Sequence, residues 1–232
     1  MRDPQRPQQI PEFAQACLFA LADAGLGQFL SLGGAFGLAH YLEYRATHDV
    51  DAWWMEPISR EHQREVVSTL ERALRPFGPV RTRWWGDVVS VELEREQKVV
   101  FGFQIAHRSA LLAPPIAGLW PGGLLLDRFD DLIASKMVAL VERGAPRDLR
   151  DIFTVCQNGL ISAQACWKLW RSRQQLAGEN ADPERAETAV LSHLARLEQA
   201  RPLEAITNVE QRAAADQVRR WFRAEFLHGL SR

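Results

Sequence analysis

The chain has 232 residues, 47% of them hydrophobic and 25% charged, which is enough to bury a core in one large or two small domains and excludes wholesale disorder. The formal net charge of -1 gives no global pull toward nucleic acid, leaving only a local basic patch to supply one. Cys17, Cys156 and Cys166 have neither a disulfide framework nor metal-type spacing and point to a reducing cytoplasm, and no run approaches the ~18 apolar residues of a membrane span.

Residues 1–11 are polar and proline-rich and read as a mobile lead-in without an apolar signal core. Residues 12–24 carry helical apolar spacing, ended by Gly25 and Gly27. Phe29–Leu32 reads as a short buried strand entering Gly33-Gly34, residues 35–44 as a helix, and Thr47–Trp54 as an alternating strand. Residues 60–75 form an amphipathic helix with Val66, Val67, Leu70 and Leu74 inward. Three strand-like runs follow, Val80–Trp85, Val88–Glu94 and Val99–Ala106, with a tight turn at Gly86-Asp87 and a looser one at Glu96-Gln97. Pro and Gly clusters in 108–128 predict a connecting arm. The remainder is helical over about 129–143, 147–157, 162–175, 183–199 and 208–228, with a loop at 176–183. The predicted organisation is α/β (α+β): a mixed sheet with flanking helices over 12–125, then a C-terminal helical domain over 126–232.

Chemistry concentrates in two blocks. On the strand ending at Trp54, Asp49 and Asp51 are two apart, so their carboxylates leave the same face with Thr47 and Trp53. Such a pair repels itself unless it is solvated or bridged by a cation, and Mg2+ takes one or two carboxylates plus phosphate oxygens. A solvated strand edge is the plain alternative. Gly33-Gly34, between strand and helix, lets backbone approach a phosphate, although glycine pairs also make ordinary turns. In the second block, Lys136 is one of only three lysines and stands four residues from both Leu132 and Leu140, on the apolar face of its helix. A buried ammonium needs a partner unless it snorkels to water. Gly144-Ala145-Pro146 breaks and restarts the helix, and Asp148 in the new first turn suits the helix dipole. Arg147 and Asp151 are four apart and positioned to pair. The six histidines show no ligand spacing. Of the adjacent tryptophans 53–54 and 84–85, alternate members are expected to face core and surface.

The stretches FLSLGGAFGLAHYLEYRATHDVDAWW (29–54) and FDDLIASKMVALVERGAPRDLRDIFTV (129–155) resemble the AbiEii/AbiGii-type nucleotidyltransferases, within the DNA polymerase β-like nucleotidyltransferase superfamily. Arg45, Thr47, Asp49, Asp51, Lys136, Arg143, Arg147, Asp148 and Asp151 fit the family pattern position by position. The resemblance implies a nucleotidyltransferase-type sheet and a Mg2+-dependent transfer of a nucleoside monophosphate from a nucleoside triphosphate. The acceptor would be a tRNA 3′ end or a protein hydroxyl, in a toxin paired with a cognate antitoxin protein. In that scheme Asp49 and Asp51 hold the metal and Gly33 and Gly34 cradle phosphates. Arg45, Thr47, Arg143 and Arg147 bind the nucleotide, Lys136 offsets triphosphate charge, and Asp148 or Asp151 positions substrate. Two positions depart from the pattern. Ala35 replaces a hydroxyl residue, and Gln104 stands where a third strand carboxylate is expected, able to coordinate through its carbonyl but adding no charge. Glu92 or Glu94 on the neighbouring strand is a substitute for it. These departures leave open a degenerate fold that binds nucleotide, RNA or a protein without catalysis.

Overall fold

The computed structural model describes residues 3–230. The described chain divides into two compact units. The first takes the residues through Ser109 together with Ala113–Leu132, and the second takes Ala110–Leu112 and everything from Ile133 on. No helix among the described residues is long and apolar enough to cross a membrane.

The first unit is a mixed sheet with flanking helices. Its elements are α1 (Glu12–Asp23), β1 (Leu30–Leu32), α2 (Gly34–Ala39), β2 (Asp49–Trp54), α3 (Arg60–Leu74), β3 (Val80–Trp85), β4 (Val88–Arg95), β5 (Lys98–Ala106) and β6 (Leu125–Leu126). The six strands lie in the order β3-β4-β5-β2-β1-β6. β2 runs parallel to β5 and antiparallel to β1, and β6 runs parallel to β1. Period-two alternation sorts the sheet into an apolar and a polar face. Leu30, Leu32, Val50, Ala52, Trp54, Val89, Val91, Leu93, Phe101, Phe103 and Ile105 are all buried on one side. On that side Thr82 Oγ1 of β3 donates to Glu71 of α3 at 2.5 Å. α3 starts at Ser59, whose hydroxyl accepts from the His62 amide, and buries Val66, Val67, Leu70 and Leu74.

Several expectations shift at the edges of elements. α2 ends at Ala39 rather than 44 because the His40 ring takes the Phe36 carbonyl at 2.9 Å, the acceptor its own amide would use in a continuing helix. The His40 amide bonds Gly37 instead, closing the last turn. β2 begins at Asp49, so Thr47 lies in the loop before it and off the strand face it was expected to share. The Glu96-Gln97 turn is tight, both residues having positive φ (49° and 62°), as a two-residue hairpin linking right-twisted strands requires. The predicted arm contains β6, which adds a strand to the sheet. Trp84 and Trp85 are both exposed, at 54% and 46%, at the end of the edge strand β3, and so do not alternate between core and surface as expected.

The second unit is helical: most of α4 (Phe129–Glu142), then α5 (Pro146–Gln157), α6 (Ala163–Ala177), α7 (Pro183–Ala200) and α8 (Val209–Trp221). α6, α7 and α8 begin at Ser162, Asp182 and Asn208, whose side chains accept first-turn amides. α8 widens into a π turn over Phe222–Phe226, where Trp167 Nε1 donates to the Phe226 carbonyl at 3.0 Å.

Candidate functional site

β1 runs into Gly33, the chain reverses through Gly34, and α2 begins. The Gly33 amide donates to the Asp51 carbonyl at 2.8 Å, so it closes the sheet and is not free to meet a phosphate as expected. With six residues α2 is under two turns long, and its dipole adds little for an anion. What the turn does is make room. Gly34 has φ +58°, and a Cβ there would overlap the Asp51 carboxylate. At Gly33, a Cβ would meet the Trp53 indole nitrogen at 2.5 Å. On the other flank, Asp49 Oδ1 lies 3.3 Å from where a Gly102 Cβ would be. Both carboxylates thus rest in spaces left by glycine.

The register carries a polar row outward from each carboxylate. Asp51 lies opposite Gln104, then Ser90, then Arg83; Asp49 lies opposite Gly102, then Glu92, then Arg81. Gln104 is therefore the cross-strand neighbour of Asp51, where the third carboxylate was expected. Glu92, the expected substitute, is engaged by arginines. It stands two strands from Asp49, and Arg83 grips it at 2.7 and 2.9 Å while Arg81 adds 3.2 Å. Burial alone would raise the Glu92 carboxyl, but these arginine bonds outweigh it and hold it below the ordinary range. Glu94 is taken by Arg81 at 2.8 Å. Among the described residues no three His, Cys, Asp or Glu side chains gather so as to hold a metal ion.

A second polar group under the turn was missed at the level of sequence. Ser31 of β1 donates to Asp127 Oδ1 at 2.5 Å, and Arg108 pairs with the same oxygen at 2.9 Å. Asp127 is 1% exposed, its Oδ2 has no hydrogen-bond partner among the described residues, and burial pushes its carboxyl up against the pull of Arg108. Trp53, opposite Ser31 in the register, carries a buried Nε1 without a hydrogen-bond partner among the described residues, with the Arg108 guanidinium 5.7 Å from its ring. The available signal was period two: a serine between Leu30 and Leu32 must point to the face that Trp53 and Asp51 share. Beneath α2, Trp120 donates to His40 Nε2 at 2.9 Å. An indole N–H only donates, so Nδ1 bears the His40 proton and donates to Phe36. Burial lowers the His40 pKa to about 4.

Two solved structures from Helicobacter pylori are similar to the chain. One is JHP933, 15% identical over 91% of this chain and 91% of that one, with a TM-score of 0.47. The other is a protein named provisionally as a nucleotidyltransferase, 16% identical over 91% of this chain and 94% of that one, with a TM-score of 0.48. No family model matches the chain, and no curated protein sequence does.

The remaining expected site residues divide between the units. Arg45 lies in the loop before β2, near the Tyr44 ring (5.8 Å) and the Ala46 carbonyl (3.5 Å). In the helical unit, Lys136 is buried with its ammonium 2.6 Å from Asp151, which is fully buried. Asp151 is thus paired from α4 and not by Arg147, which is exposed and has no ion pair among the described residues. Arg143 clasps the buried Asp148 through two bonds, 2.8 and 3.0 Å, a fork geometry that satisfies both carboxylate oxygens.

Proposed function

We propose that the protein is a nucleotidyltransferase, moving a nucleoside monophosphate from a nucleoside triphosphate to a hydroxyl while pyrophosphate leaves, with Mg2+ as its cation. The seating of Asp49 and Asp51 carries this reading: two carboxylates on one face of β2, Asp51 over Gly34 at the turn from β1 to α2 and Asp49 against Gly102 of β5, each where a glycine omits its side chain. Hard oxygen donors in this number suit Mg2+, which completes its octahedron with phosphate oxygens and water. When bound, the ion neutralises triphosphate charge and polarises the phosphorus under attack. Asp51, half-buried over Gly34, would hold the cation through its carboxylate. Asp49, exposed at the start of β2, stays open to an incoming hydroxyl. Gln104 offers an amide carbonyl beside Asp51. Arg108, anchored on Asp127, lies over the ring of Trp53, whose indole occupies the space left by Gly33.

The resemblance of 29–54 and 129–155 extends the proposal to a tRNA 3′ end or a protein hydroxyl as acceptor and to a toxin with a cognate antitoxin. It also assigns nucleotide contacts to Arg45, Thr47, Arg143, Arg147 and Lys136, and substrate positioning to Asp148 or Asp151. A second reading, nucleotide binding without turnover, draws on Gln104 as the cross-strand neighbour of Asp51, since an amide leaves the acidic set at two. Calorimetric titration of each NTP with Mg2+, run beside a pyrophosphate-release assay, tests both. Binding with release supports transfer; binding without release supports the second reading; no Mg2+-dependent binding removes both.

A further inference from the structure

Arg219 is a buried cation with no ion pair among the described residues. It is 7% exposed, and among the described residues its one hydrogen bond runs from Nη2 to the Arg201 carbonyl at 2.6 Å. Its Nε is buried without a partner. Of the acids near it, Asp216 is taken by Arg220 at 2.8 Å and Glu198 by Arg223 at 2.6 Å, while Glu204 and Glu210 make no ion pair with Arg219 among the described residues. A guanidinium taken out of water without an anion is costly, and a bound anion would offset that cost.

Arg219 lines a partly open cavity of about 610 Å³ formed by α5, the end of α7, the 201–208 loop and α8, all within the helical unit. This lies inside the range of small-molecule sites. Leu149, Phe153 and Val218 give it an apolar wall. Arg150 and Arg201 join Arg219 on its lining, against Glu210 as the one acid. Phe153 is fixed edge-on against Trp221 at 5.4 Å, so its ring is a placed surface rather than a free side chain.

We infer that this cavity binds a phosphate monoester with a flat aromatic body, of mononucleotide size, with the phosphate on Arg219 and the ring against Phe153. Three arginines and one glutamate on the lining leave a net positive charge that suits a dianion, and planar guanidinium forks recognise phosphate oxygens in pairs. The apolar wall distinguishes an aromatic ester from free phosphate. This site does not depend on the Asp49–Asp51 reading.

The test uses the full chain carrying Asp51→Asn, in EDTA, so that Mg2+-NTP binding at the glycine turn is suppressed. Calorimetry follows AMP, GMP, CMP and UMP, with ribose 5-phosphate and inorganic phosphate as probes lacking the ring. The expected result is one-site binding of at least one mononucleotide with a Kd of about 0.1–1 mM or tighter, and at least about tenfold weaker binding of both ring-free probes. Arg219→Met should weaken the mononucleotide about tenfold or more. Ala214→Trp, at an exposed α8 position on the cavity lining, should block it without touching the Arg201 bond, which keeps the test sound if Arg219→Met fails to fold. No mononucleotide binding at millimolar concentration overturns the inference. So does binding unchanged in Ala214→Trp, or inorganic phosphate binding as tightly as every mononucleotide.

Discussion

Replacing Gly34 with alanine isolates what the glycine turn does. Gly34 has φ +58° and a Cβ there overlaps the Asp51 carboxylate. Gly25 has φ +68°, and nothing lies within 4 Å of its Cβ position, so Gly25→Ala measures the conformational cost alone. Placing an L side chain in the left-handed region costs about 1–2 kcal/mol. At Gly34 the carboxylate must also leave its rotamer or the backbone must shift, adding about 1–3 kcal/mol. Gly34→Ala should therefore lose about 2–5 kcal/mol in urea unfolding, against about 1–2 kcal/mol for Gly25→Ala. The binding readout is sharper. Titration with Mg2+-NTP should show at least about tenfold weaker binding in Gly34→Ala and unchanged binding in Gly25→Ala. Equal destabilisation of the two variants, together with equal nucleotide affinity, would refute the seating argument.

Three further outcomes are expected. Asp151→Ala leaves the Lys136 ammonium, 9% exposed, without its carboxylate, and should destabilise by about 3–5 kcal/mol in urea melts at neutral pH; a loss under about 1 kcal/mol would contradict the buried pair. His40 has a folded pKa lowered from 6.5 to about 4, so its contribution is present above pH 6.5 and lost as pH falls toward 4, about 3 kcal/mol in all. His40→Phe should flatten that part of the stability–pH curve, and an unchanged slope between those limits would count against the neutral, doubly bonded ring. Glu92→Gln leaves Arg81 and Arg83 with a neutral partner at half-exposed positions and should change stability by only about 1–2 kcal/mol without abolishing Mg2+-NTP binding; loss of binding would return Glu92 to the metal set.

The parts of this architecture that were legible in the sequence are those set by local spacing. The strand–Gly-Gly–helix order, the shared face of Asp49 and Asp51, and the three-stranded run from Val80 to Ala106 follow from period two and glycine placement. Placing Lys136 by helical spacing put it on the apolar face, where it is buried. Its partner was less legible: Arg147 and Asp151 satisfy the same-helix rule, but the carboxylate turns toward α4, where burial strengthens a charged bond. β6 escaped because two leucines among prolines and glycines carry no period, and only pairing with β1 makes them a strand. Asp127 reads in sequence as an ordinary acid ahead of a helix; its burial against Ser31 depends on a contact 96 residues apart in the chain. The partners of Glu92 were not legible because strand periodicity gives the face but not the partner, and Arg81 and Arg83 on β3 reach it.

The central claim is that the Asp49–Asp51 seat transfers a nucleotide. Its most direct test follows label from each NTP, carried in turn on the α- and γ-phosphate, into acceptor RNA or protein with Mg2+ present. The account predicts incorporation of α-label with equimolar pyrophosphate, no incorporation of γ-label, and at least about 100-fold less incorporation in Asp51→Asn. Transfer of γ-label, or α-label incorporated at the same rate by Asp51→Asn, would contradict it.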